Sequence, residues 1–163
     1  MTEKTLLIAT VGGAPQPIVA SIKRWKPERI LFVVSPETKP EVEGKIAALL
    51  AGEDYRISPG IWDALCVPSA QDFAECVKKM GELSNEVKKW LNRGEDFQVV
   101  VDFTGGTKCM TAALSLQAHR WPCIFSYVGR HRADEGRRRH SGRWQGAGCA
   151  GSEPLERPRA AGA

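Results

Sequence analysis

Residues 102–110, DFTGGTKCM, hold the densest set of side chains able to do chemistry in this chain. They follow the apolar run FQVVV and precede TAALSLQAH. Glycines allow backbone conformations closed to other residues and let a ligand approach the main chain. A helix that starts directly after them offers unpaired N–H groups to an anion. Thr104 and Thr107 can each donate a hydroxyl, and Lys108 can supply a positive charge. Together with Gly105 and Gly106, this set suits a phosphate-bearing ligand. A second loop, Thr10-Val11-Gly12-Gly13, ends the apolar run TLLIATV in a comparable way.

The loops match no standard nucleotide fingerprint. GxxxxGK[ST] is absent, and so is GxGxxG. A plainer reading also accounts for the second loop: Gly105 and Gly106 form a tight turn, Thr107 caps the helix, and Lys108 is solvated. The sequence leaves both readings open. Asp102 would repel a phosphate, so its expected part is structural: accepting hydrogen bonds from loop N–H groups. No Ser–His or Cys–His arrangement is evident. Cys109 is expected to pack against the sheet, and His119 to stay solvated or meet the last helix carbonyls.

The cysteines at 66, 76, 109, 123 and 149 are odd in number and lack CxxC or Cys/His ligand spacing. That argues against a disulfide scaffold and structural zinc, and favours a reducing, cytoplasmic setting. No metal or cofactor is expected. TLLIATVGG is too short to span a bilayer, so no membrane segment and no secretory leader are expected.

The elements that must position these loops alternate between strand and helix. Apolar runs predict strands at 5–11, 29–35, 97–103 and 122–129. Tyr55 and Ile57 suggest a third strand within 54–65. Helical spacing predicts helices at 18–25, 41–52, 70–94 and 107–119. In the long one, Phe73, Val77, Met80, Leu83, Val87, Trp90 and Leu91 make the stripe. The expected fold is α/β: a Rossmann-like three-layer sandwich with a mostly parallel sheet. Such sheets bind ligands at the carboxyl ends of their strands.

Composition breaks near residue 130. Residues 1–129 hold 15 Lys+Arg and 15 Asp+Glu, whereas 130–163 hold 8 arginines, no lysine and 4 acids. The tail contains one leucine and no isoleucine, valine, phenylalanine or methionine. It cannot bury enough apolar surface to offset its ordering entropy, so a disordered Arg/Gly-rich tail is expected. A basic nucleic-acid-binding arm and a lost coding frame near Gly129 are the other readings.

The body resembles the CARF domain, the CRISPR-associated Rossmann-like sensor domain of type III CRISPR systems. The resemblance rests on DFTGGTKCMTAAL (102–114), on TVGGAPQPI (10–18) and on the order of elements between them. It covers about residues 4–129, giving a division into a CARF-like ligand-binding domain at 1–129 and the tail at 130–163.

The resemblance implies a homodimer that binds a cyclic oligoadenylate, tetra- or hexa-adenylate, in antiviral defence. The implied ligand-binding residues are Thr10, Val11, Gly12, Gly13 and Gln16 from the first loop. Thr104, Gly105, Gly106, Thr107 and Lys108 come from the second, and Ser35 and Pro36 flank them after the second strand. Members of this kind often continue into a ribonuclease effector, and none is legible here; nor is any DNA-binding domain evident. Two alternatives stay open: a metal-independent ring nuclease that cleaves the cyclic ligand, and a generic nucleotide-binding Rossmann-like domain.

Overall fold

The computed structural model describes residues 4–52, 60–91 and 97–129. In chain order the elements are β1 (Lys4–Thr10), α1 (Gln16–Trp25), β2 (Arg29–Val34), α2 (Lys39–Glu41), a π-helical turn (Val42–Ile46) and α3 (Ala47–Ala51). They continue with β3 (Trp62–Cys66), α4 (Phe73–Leu91), β4 (Phe97–Asp102), α5 (Lys108–Ala118) and β5 (Cys123–Ser126).

The five strands form one sheet in the order β3-β2-β1-β4-β5. Every neighbouring pair is parallel. The chain builds outward from β1 to β3, then crosses back to β4 and β5. The reversal lies between β1 and β4, which is where a doubly wound sheet opens its crevice.

Side chains alternate between the two faces of the sheet, as a pleated strand requires. Leu6, Ile8, Leu31, Val33, Val99 and Val101 point to the layer made by α4 and α5. Met80, Leu83 and Val87 of α4 and Met110, Ala113 and Leu114 of α5 meet them there. Leu7, Ala9, Ile30, Phe32, Val34 and Val100 point the other way. They pack on Ile18, Val19 and Ile22 of α1 and on Val42, Ile46 and Leu50. Both layers are apolar because strands covered on both faces have no polar side. The result is the expected three-layer Rossmann-like sandwich, with a sheet that is entirely parallel.

Several element readings change: the helix expected at 41–52 is interrupted by the π-helical turn, and the strand expected at 122–129 ends at Ser126. The third strand forms at Trp62–Cys66, while Tyr55 and Ile57 lie outside the described residues. β3 is an edge strand, and its residues are half-buried or exposed. WDALC therefore carries no continuous apolar signal. The long helix starts at Phe73, later than spacing suggested, because Asp72 caps it: its Oδ1 accepts the Glu75 N–H at 3.0 Å. Phe73, the first helical residue, is 45% exposed and stands outside the stripe. The side chains of Trp90 and Leu91 lie outside the described set, as does the tail. Among the described residues no helix is long and apolar enough to cross a membrane.

Candidate functional site at the carboxyl edge

β1 and β4 pair in register up to Ala9 opposite Asp102, so the loops that follow them emerge side by side. Contact between those loops is very close. A Cβ on Gly12 would stand 2.7 Å from the Gly106 nitrogen. One on Gly105 would stand 2.4 Å from the Thr10 carbonyl oxygen. Gly106 has φ +80°, and a Cβ there would meet Thr10 Cβ at 2.9 Å. Three of the four loop glycines are thus required by loop-on-loop packing. Gly13 differs: it is exposed and nothing lies within 4 Å of its would-be Cβ.

Hydroxyl groups fasten the same junction. Thr10 is fully buried, and its Oγ1 donates to the Gly105 carbonyl at 2.5 Å. Thr111 Oγ1 donates to that carbonyl at 3.4 Å. Val11 is also fully buried; its N–H donates to the Val33 carbonyl at 2.8 Å and its side chain joins the α1-side core. The side chains of Thr10 and Val11 therefore face the protein.

Asp102 is 1% exposed and continues the alternation of β4 toward α1. Its Oδ1 accepts the Thr104 N–H at 2.9 Å, and its Oδ2 accepts the Ser21 hydroxyl at 2.6 Å. One carboxylate thus joins the second loop to the helix that follows the first. Ser21→Ala would leave Oδ2 buried without that donor. The expected cost is about 1–2 kcal/mol, readable as a lower midpoint in urea unfolding.

Thr107 is the N-cap of α5, with extended backbone; its Oγ1 accepts the Met110 N–H at 3.2 Å and donates to the Ala70 carbonyl. Cys109 Sγ donates to the Gln71 carbonyl at 3.3 Å, and Cys76 Sγ to the Ser69 carbonyl at 3.2 Å. The segment between β3 and α4 is thereby tied to the start of α5. Burial pushes the Cys76 thiol up, aided by neighbouring Cys109, and burial alone does so for Cys123. Neither is poised as a thiolate nucleophile.

Several groups remain open at this edge. Met110 N–H is capped, and Thr111 N–H begins the helical bonding to the Thr107 carbonyl. The amides of Lys108 and Cys109 have no acceptor among the described residues. Lys108 is exposed, and its ammonium has no carboxylate partner among the described residues. Two free amides beside a lysine at a helix start can hold an anion.

At the end of β2, Ser35 is 2% exposed and makes a local turn with Thr38. The Ser35 N–H donates to Thr38 Oγ1 at 2.9 Å, and the Lys39 N–H to the Ser35 carbonyl at 2.8 Å. Pro36 is exposed beside it. Gln16 is exposed at the start of α1, where it borders a concavity with Val19, Ala20, Lys23 and Leu49. The edge thus gathers Gly12, Gly13, Thr104, Gly105, Gly106, Thr107 and Lys108. Ser35 and Pro36 stand one strand over, and Gln16 stands on the α1 side.

Sequence reasoning missed Ser21 and the 69–71 carbonyls. Ser21 lies on the buried face of α1, one residue before Ile22, a spacing that placed it beside the sheet. Nothing local marked the carbonyls.

No known family model matches the sequence, and no curated protein does. The fold has solved counterparts. Can2 from Sulfobacillus thermosulfidooxidans, in complex with cyclic tetra-adenylate, aligns with a TM-score of 0.57 at 17% identity, over 77% of this chain and 32% of that one. Protein VC1899 from Vibrio cholerae aligns at 0.60 and 13%, over 77% and 30%. Csm6 from Enterococcus italicus, bound to cyclic hexa-2'-fluoro-hexa-dAMP, aligns at 0.60 and 15%, over 78% and 34%. This chain spans about a third of the length of each. At these identities the likeness establishes the shared fold.

Proposed function

We propose that this chain is a CARF-type sensor domain that binds a cyclic oligoadenylate in type III CRISPR antiviral defence. The observation that carries the proposal is the interlocked pair of glycine loops at the reversal of the sheet. They end in two amides and a lysine ammonium that have no partner among the described residues. Phosphate groups are the ligand feature such a surface recognises. Two of the solved structures that share the fold hold cyclic adenylates, one of four units and one of six. That supports a cyclic adenylate over other phosphate esters.

In this reading Gly13, Gly105, Gly106 and Lys108 meet the ligand through main chain or ammonium. Thr104 and Gln16 line it, and Ser35 and Pro36 flank it. Thr10, Val11, Gly12 and Thr107 act by shaping the loops. In this reading the protein works as a homodimer, because a two-fold ligand matches a two-fold surface, and in the cytoplasm, the setting its cysteine usage favours. Residues 1–129 form the sensing domain, and 130–163 are a tail outside it.

Calorimetric titration with cyclic tetra-adenylate and cyclic hexa-adenylate, with chromatography of the recovered ligand, tests the proposal. At least one ring is expected to bind with micromolar or tighter affinity and to be recovered intact. Absence of binding by both rings would refute it, and recovered linear fragments would move the function to ring cleavage. Gly13→Ala sharpens the test. Its Cβ meets no protein atom and its φ is not positive, so stability should change by less than about 0.5 kcal/mol. Affinity should fall, because the methyl occupies the space the ligand uses.

A further inference from the structure

Beyond the glycine loops, the carboxyl edge carries an aromatic ring that the site described so far does not use. Tyr127 follows the last residue of β5 and is 61% exposed, among the most exposed large side chains of the described residues. Its ring stacks on Phe103, with centroids 5.8 Å apart and planes 26° from parallel. Phe103 follows Asp102 directly and begins the second glycine loop. Phe125 also packs against Phe103, edge-on at 6.0 Å.

The backbone fixes the ring beside the loop as well. The Val128 N–H donates to Thr104 Oγ1 at 2.7 Å, and the Phe103 N–H to the Ser126 carbonyl at 3.4 Å. The chain after β5 is thus bonded to the loop that carries Gly105, Gly106 and Lys108. A solvent-exposed tyrosine would normally sample several rotamers. This one is backed by a second ring and set in a bonded segment, so little freedom is left to lose on stacking.

We infer that Tyr127 is a stacking platform for an adenine base of the ligand. The inference rests on the reading of this edge as a nucleotide site, and it adds the base-recognising half to the phosphate-recognising half. An aromatic face accepts any nucleobase and is worth about 1–3 kcal/mol per base, or roughly five-fold to over a hundred-fold in affinity. The tyrosine presents one face to Phe103, and among the described residues no other ring stacks on its opposite face. Adenine is the occupant because it is the base that the proposed ligand carries.

The test compares the full-length wild type with Tyr127→Phe, Tyr127→Leu and Tyr127→Ala. The probes are cyclic tetra-adenylate, cyclic hexa-adenylate and a cyclic tetranucleotide carrying 2-aminopurine in place of one adenine. Tyr127→Phe is expected to bind within two-fold of wild type and to quench 2-aminopurine equally. Tyr127→Leu keeps an apolar cover over Phe103 but has no aromatic face. It should bind about ten-fold more weakly and lose the quenching. Wild-type affinity in both the Leu and Ala variants would overturn the inference while leaving the proposed function standing. A lowered melting temperature with unchanged affinity would assign the ring to packing within the chain, and would overturn it too. If wild type binds neither ring, the reading of the site falls first and the stacking role with it.

Discussion

Gly105→Ala is expected to lower stability by about 3 kcal/mol or more, and the melting temperature by roughly 10 °C. Its Cβ would stand 2.4 Å from the Thr10 carbonyl oxygen and 3.2 Å from the Gly12 nitrogen. Both are main-chain atoms, so no side-chain rotation relieves the overlap. Relief requires the end of β1 to part from the second loop. That would weaken the Thr10 hydroxyl bond to the Gly105 carbonyl. A loss of this size is a large share of the 5–15 kcal/mol that holds an ordinary domain together. Chemical denaturation of Gly105→Ala beside Gly13→Ala separates crowding from any general effect of losing a glycine. Equal stability of the two would show that the loops do not meet as described.

Lys108→Ala is expected to weaken binding of a cyclic oligoadenylate by ten-fold to a hundred-fold, with the fold unchanged. The ammonium is exposed and has no carboxylate partner among the described residues, so no structural contact is lost. A charge-assisted hydrogen bond to a phosphate oxygen is worth roughly 1.5–3 kcal/mol, which converts to that range. The loss should shrink as salt rises, since screening weakens the charge that remains outside direct contact. Titration of wild type and variant with both rings at two salt concentrations reads all of this. Equal affinities would return Lys108 to the solvated surface. Normal binding with loss of ring cleavage would instead place its charge in the transition state.

Much of the architecture was legible in the sequence, and for a physical reason. β1, β2 and β4 are buried on both faces, so they appear as unbroken apolar runs that no other element explains. β3 sits at the edge of the sheet, half-covered, and its WDALC lacks that signature. The glycines announced two loops. Their mutual contact was hidden, because it joins residues 95 positions apart. Thr107 as the helix cap was one of two readings the sequence left open, and the structure shows that cap. The inward turn of the Thr10 hydroxyl was not legible, because residue type says what a hydroxyl can do, not which acceptor is nearer. Here the nearer acceptors are the Gly105 and Ala70 carbonyls. Tyr127 was submerged in the apparent strand 122–129. The strand stops at Ser126, and the Val128 N–H goes to Thr104 Oγ1 instead of continuing the ladder.

The placement of β1 at the centre of the sheet also governs the birth of the molecule. A ribosome delivers β1 first and β2 soon after, and those two can pair at once. The other flank of β1 must wait for β4. Thr10 and Gly105 are 95 positions apart, so at about 5–20 residues per second the wait is roughly 5–20 s. Throughout that interval the nascent chain carries an apolar strand with one bare edge, a template for pairing with a neighbour. The same delay postpones the anion-holding edge until the second loop emerges. A half-made chain therefore lacks the proposed ligand edge during its most aggregation-prone interval.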